Sequence, residues 1–70
     1  MPPSAEWTGA RVRALRDRLG LSQGELAAAA GYSRRDRISE FERDVRPVPG
    51  PTAKLFEYME AHGVMGQRPA

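Results

Sequence analysis

Apolar residues recur at helical spacing in four stretches of the chain, each bounded by residues that start or stop helices. Val12, Leu15 and Leu19 share one face of a first helix that Thr8 can cap and that runs to about Arg18. Trp7 before the cap and Val12 at the fourth helical position have the spacing of a hydrophobic staple. The stretch "GLSQGELAAAAG" repeats the device more fully: Ser22 caps, Glu25 closes a capping box, and Leu21 and Leu26 take the staple positions. The second helix is therefore short, about residues 23–30, and Gly31 stands where a left-handed exit is wanted. In "SRRDRISEFERD", Ile38 and Phe41 fall three apart, and Ser33 with Asp36 makes the Ser-x-x-acid pattern that opens a helix. A third helix is thus expected to start directly after Ser33 and to run to about Arg43, with Asp44 in its left-handed exit. Prolines break "VRPVPGP"; Pro51 suits the first position of a fourth helix, Leu55, Phe56 and Met59 its apolar face, and Gly63 its exit after His62.

The pattern predicts an all-α fold of four or five helices. Residues 1–7 form an N-terminal arm, 8–62 the domain and 63–70 a C-terminal tail. Seventy residues make one small domain, a size at which a single core rarely supplies more than about 3–5 kcal/mol. Cysteine is absent and histidine occurs once, so disulfides, thiolate metal sites and zinc sites of the usual ligand types are not expected, nor is any cofactor. Self-association is the remaining common source of stability. The longest apolar run, Leu26–Ala30, is far short of a membrane span, and residues 1–20 lack the apolar core of a signal peptide. A soluble cytoplasmic protein without a membrane partner or small-molecule ligand is expected.

The formal charge is only +2, and residues 22–46 carry five arginines against five acids, so placement matters more than balance. Arg34, Arg35 and Arg37 crowd the start of the third helix. There the macrodipole is already positive, and each cation is disfavoured by about 0.3–1 kcal/mol. By spacing alone, the second helix, a turn beginning with Gly31 and the third helix form a helix-turn-helix.

The run "LRDRLGLSQGELAAAAGYSRRDRISEFERDVRPVPGPTAKLFEYM" resembles the phage-repressor and Cro class of helix-turn-helix DNA-binding domains, also called the xenobiotic-response-element type. The matching residues are Arg16, Leu19, Gly20, Leu21, Ser22, Gln23, Glu25, Leu26, Ala27, Gly31, Ile38, Phe41, Glu42 and Pro47, and the likeness spans nearly all of residues 10–60. The resemblance implies a lambda-repressor-like bundle that binds double-stranded DNA. The third helix would enter the major groove, its N-terminal residues toward the bases. Arginines repelled by their own helix become favourable when phosphates or guanine acceptors stand before them. Arg34, Arg35, Asp36, Arg37, Ser39 and Glu40 are the candidate base readers. Asp36 and Glu40 either accept from cytosine N4 or hold an arginine in position. Ser22, Gln23, Ser33, Arg43 and Arg46 are the candidate phosphate contacts, while Arg16 and Glu42 match a pair that ties the first helix to the third.

Two departures from the family pattern stand out. One extra residue lies between Gly31 and Ile38, which puts Arg37 where the staple partner of Tyr32 should be. Gly24 interrupts the second helix at a cost of about 1 kcal/mol against Ala, as though something had to approach closely, either DNA or the third helix. The resemblance favours a regulator, most simply a repressor or autorepressor of a short phage or mobile-element operon, Cro-like or anti-CRISPR-associated, acting as a homodimer on a palindromic operator. The alternative is an antitoxin that also represses its own operon. Catalysis is not expected: His62 sits at a helix C-terminus, where its charge is stabilising, and no nucleophile motif accompanies it. Tyr58, Met59, Val64 and Met65 form a candidate dimer patch.

Overall fold

A computed structural model describes residues 7–63. Residues 1–6 of the expected arm, the tail from 64 onward and, with it, Val64 and Met65 of the candidate dimer patch lie outside the described residues, whereas Trp7, expected in the arm, is buried in the core. Four helices occur among those described: α1 (Gly9–Leu19), α2 (Gln23–Ala29), α3 (Asp36–Glu42) and α4 (Gly50–His62). No strand is present among them.

The caps are where the sequence places them for α1 and α2. Thr8 Oγ1 accepts from Arg11 N at 3.3 Å, and the Ser22 and Glu25 side chains exchange hydrogen bonds with each other's backbone N–H at 3.1 and 2.8 Å. Gly31 leaves α2 with φ +85°, which lets Tyr32 N–H reach back to Ala27 O at 2.8 Å. Asp44 does the same for α3 at φ +57°, a backbone conformation few side chains tolerate. For α4, Gly50 takes the first position with Pro49 before it, so Pro51 falls second, where its missing N–H is equally harmless.

The core joins Trp7, Val12 and Leu15 from the α1 side, Leu26 and Ala27 from α2, Ile38 and Phe41 from α3, and Val48, Ala53, Phe56 and Met59 from the loop and α4. Its centre is aromatic: Phe56 meets Trp7 at 5.2 Å and Phe41 at 6.3 Å between ring centroids, and Phe41 meets Tyr32 at 6.0 Å. Two expectations for α4 need correction. Met59 is 3% exposed and belongs to the core, so it cannot serve a dimer patch, whereas Leu55 is 36% exposed and turned outward. The face of α4 that fits against α1 and α3 is set by Ala53, Phe56 and Met59, at intervals of three.

Gly9 was not singled out by the sequence. A Cβ there would collide with the Glu42 carbonyl and lie 2.8 Å from the Phe41 carbonyl oxygen, so α1 begins against the backbone at the end of α3. Asp44 Oδ1 accepts the Gly9 N–H at 2.8 Å across the same contact. Replacing Gly9 with Ala must push the two helices apart. We expect Gly9→Ala to lower stability by about 1–3 kcal/mol in denaturant unfolding, while Gly24→Ala, which meets only Ser22 Oγ at 4.0 Å, should raise it by up to about 1 kcal/mol.

Candidate nucleic-acid interface

The turn between α2 and α3 occupies residues 30–35 and absorbs the extra residue. Ile38 and Phe41 are essentially fully buried, which fixes the rotation of α3; the chain between Gly31 and Ile38 has to accommodate that. The consequence corrects the expected start of α3. Ser33 does not cap it: the N-cap is Arg35, in a helical conformation and with no side-chain hydrogen bond, and the first helical residue is Asp36. Arg34 and Arg35 therefore precede the helix instead of filling its first turn, and Arg37 is its second residue. In place of an apolar staple, the Arg37 guanidinium lies 5.4 Å over the Tyr32 ring. Tyr32 is itself held by a hydrogen bond between its hydroxyl and Thr52 Oγ1 at 2.8 Å.

With Ile38 and Phe41 inward, helical geometry turns Asp36, Glu40 and Arg43 to the opposite side of α3. An open groove of about 300 Å³ runs beside them, lined by Tyr32, Ser33, Arg34, Asp36, Arg37, Glu40 and Arg46. Six of the sequence-predicted contact residues thus meet in one place. Asp36 and Glu40 hold arginines there: Arg34 Nη2 is 3.2 Å from Asp36 Oδ2, and Glu40 Oε1 receives Arg46 Nε at 3.0 Å with Arg37 Nε at 3.5 Å. Arg35 and Arg43 are exposed and make no ion pair among the described residues, and Ser39 is half-buried on α3.

Ser22 and Gln23 stand apart from the groove at the start of α2. The Ser22 hydroxyl accepts from Glu25 N in the capping box, which leaves its own hydrogen available for a further acceptor. Gln23 donates from Nε2 to Glu42 Oε1 at 3.3 Å. Glu42 also takes Arg16 in a two-pronged pair, Nε to Oε2 at 2.7 Å and Nη2 to Oε1 at 3.2 Å, while Arg16 Nη1 donates to Leu21 O at 3.2 Å. The Glu42 side chain is 1% exposed. Burial pushes its carboxyl up, but the hydrogen bonds from Arg16 and Gln23 and the Arg16 charge outweigh that and hold it below its ordinary value. The pair expected between α1 and α3 is present and also fixes Gln23 of α2.

A third donor escaped sequence reasoning. Arg13 Nε lies 3.5 Å from Glu42 Oε1 with its side chain 65% exposed, which puts a solvent-facing guanidinium beside Gln23. Its signal was available: Arg13 and Arg16 are three apart on α1 and share a face.

Compared with known protein families, residues 7–68 match the model of a helix-turn-helix domain. The chain belongs to that family, in its Cro and xenobiotic-response-element type. No curated protein and no solved structure matches the chain. The helix-turn-helix identifies α2 and α3 as the two helices of the motif and the chain as one of a class of DNA-binding transcription regulators. Among the described residues no helix is long and apolar enough to cross a membrane, and no group of three or more His, Cys, Asp or Glu side chains could hold a metal ion.

The Glu42 cluster makes the helix-turn-helix acid-sensitive. Because the folded carboxyl is lowered from 4.5, its contribution is fully present above that pH and is lost as the pH falls below it, through the folded value. We expect thermal melts of the wild type to lose stability over that range and those of Glu42→Gln to respond less. At neutral pH, removing either Arg16 or Glu42 should cost about 3–5 kcal/mol, with the double mutant well short of the sum.

Proposed function

We propose that the protein is a sequence-specific regulator that binds double-stranded DNA by placing the N-terminal end of α3 in the major groove. It represses a short operon, of the phage or mobile-element kind, as a homodimer on a palindromic operator. The observation that carries this reading is the convergence of Arg34, Arg35 and Arg37 around the start of α3. Asp36 and Glu40 partly offset Arg34 and Arg37, but Arg35 makes no ion pair among the described residues. A cation at that end of a helix opposes the helix's own dipole and gains when an external anion or base acceptor faces it. Asp36, Ser39 and Glu40 complete the base-facing set. Ser22, Gln23, Ser33, Arg43 and Arg46 supply phosphate contacts, with Gln23 pre-positioned by Glu42.

Dimerisation follows from the symmetry of operators and from the size of the domain. A homodimer presents two α3 helices about one DNA turn apart, so half-sites should recur at a spacing of about 10 base pairs. Selection of bound sites from random duplexes tests the proposal directly: it should return an inverted repeat, and sedimentation with the selected duplex should show two chains per site. Failure to enrich any sequence would refute the reading.

Arg35 offers the sharpest single-residue check, since no ion pair among the described residues confounds it. Arg35→Ala should leave the free protein equally stable or slightly more so, yet weaken binding to the selected site by about 1–3 kcal/mol if it reads a base. Arg43→Ala should instead weaken binding to all sequences alike and flatten the log–log salt slope by about 0.9. Fluorescence anisotropy titrations at several salt concentrations separate the two behaviours.

A further inference from the structure

We propose that Glu40 is a specificity-determining residue that selects a base bearing an exocyclic amino group, cytosine or adenine, through its open Oε2. The inference rests on the DNA-binding reading above and assigns the chemistry by which that face discriminates. The two oxygens of Glu40 are unequal. Oε1 is engaged by Arg46 at 3.0 Å and Arg37 at 3.5 Å, whereas Oε2 accepts no hydrogen bond among the described residues. The side chain is 29% exposed and lines the open groove on the side of α3 turned away from the core.

The anchoring is built into the backbone. Glu40 O accepts from Val45 N at 3.0 Å and from Arg46 N at 3.4 Å, so the loop leaving α3 folds back and delivers the Arg46 guanidinium to the Glu40 side chain. Arg37 is steadied from its other side by the Tyr32 ring. The carboxylate is thereby fixed in orientation and partly neutralised, two conditions for bringing an anion into a groove walled by phosphates. A carboxylate has only acceptors. In the major groove the donors are cytosine N4 and adenine N6, while guanine O6 and N7 and thymine O4 are themselves acceptors. Facing guanine or thymine, Oε2 would be desolvated without a partner and repelled, so discrimination arises from the penalty at wrong sites as well as from the bond at right ones.

The test compares wild type, Glu40→Ala and Glu40→Gln in selection from random duplexes, with anisotropy titrations against the selected site and a scrambled duplex. Wild type should favour cytosine or adenine at one position of each half-site by about five- to 150-fold. Glu40→Ala should erase that preference while keeping the others. It should also bind the scrambled duplex more tightly, with a salt slope steeper by up to about 0.9 for each arginine released. Glu40→Gln, whose amide both donates and accepts, should move the preference toward adenine. The Arg37→Ala, Arg46→Ala double variant should blunt discrimination at the same position through loss of orientation. The inference is overturned if Glu40→Ala retains every wild-type preference or weakens all duplexes equally. Wild type that binds no duplex at all overturns the DNA-binding reading itself, a result distinct from either.

Discussion

The Glu42 carboxylate is ionised and buried at once, and donors from two other helices make that tolerable. Arg16 meets it with two parallel bonds, Gln23 adds a third, and Arg13 screens the open side. A carboxylate taken out of water without them would cost several kcal/mol. Because the donors come from α1 and the start of α2 while the acceptor is on α3, satisfying one charge fixes the relative placement of three helices. The angle between α2 and α3, which determines what a helix-turn-helix can dock against, is held by this electrostatic tie as well as by Leu26, Ala27, Ile38 and Phe41 in the core.

Around that tie several of the exposed charges are paired locally, while Arg35 and Arg43 are not. Asp36 with Arg34, and Glu40 with Arg37 and Arg46, leave a surface whose net charge is modest although its density of arginine is high. Exposed pairs of this kind contribute little to stability. Their effect is on orientation: guanidiniums that would otherwise sweep through solvent are held at defined points beside the groove, which lowers the entropy they must lose on meeting another surface.

Much of this was legible in the sequence because helix ends are specified locally. Thr8, the Ser22–Glu25 capping box, Gly31 and Asp44 act within a few residues of themselves, and each performs as its local pattern predicts. The family resemblance likewise anticipated the Arg16–Glu42 pair. What failed depended on distant contacts. Ser33 and Asp36 carry a valid capping pattern, yet Ile38 has to reach a core built by other helices, and that requirement delays the helix to Asp36. Met59 and Leu55 look alike as apolar residues of one helix; only the position of Phe41 and Trp7 around Phe56 decides which of them faces inward. Gly9 shows nothing in its own neighbourhood, since what excludes a side chain there is a carbonyl more than thirty residues away. For the candidate interface, the sequence supplied its members but not their pairing.

Asp44 shows why the easiest residue for a backbone is not always the one retained. Glycine would adopt its left-handed conformation without strain, but it has no carboxylate, and the Gly9 N–H that Asp44 Oδ1 now accepts would face the end of α3 unmatched. Through that one bond the exit of α3 and the entry of α1 become a single structural joint, closed across 35 residues of chain. Fraying of either end then opens the other, so the first helix and the last turn of the helix-turn-helix melt and form together. In a domain with so small a core, such a joint converts two weak helix termini into one cooperative unit.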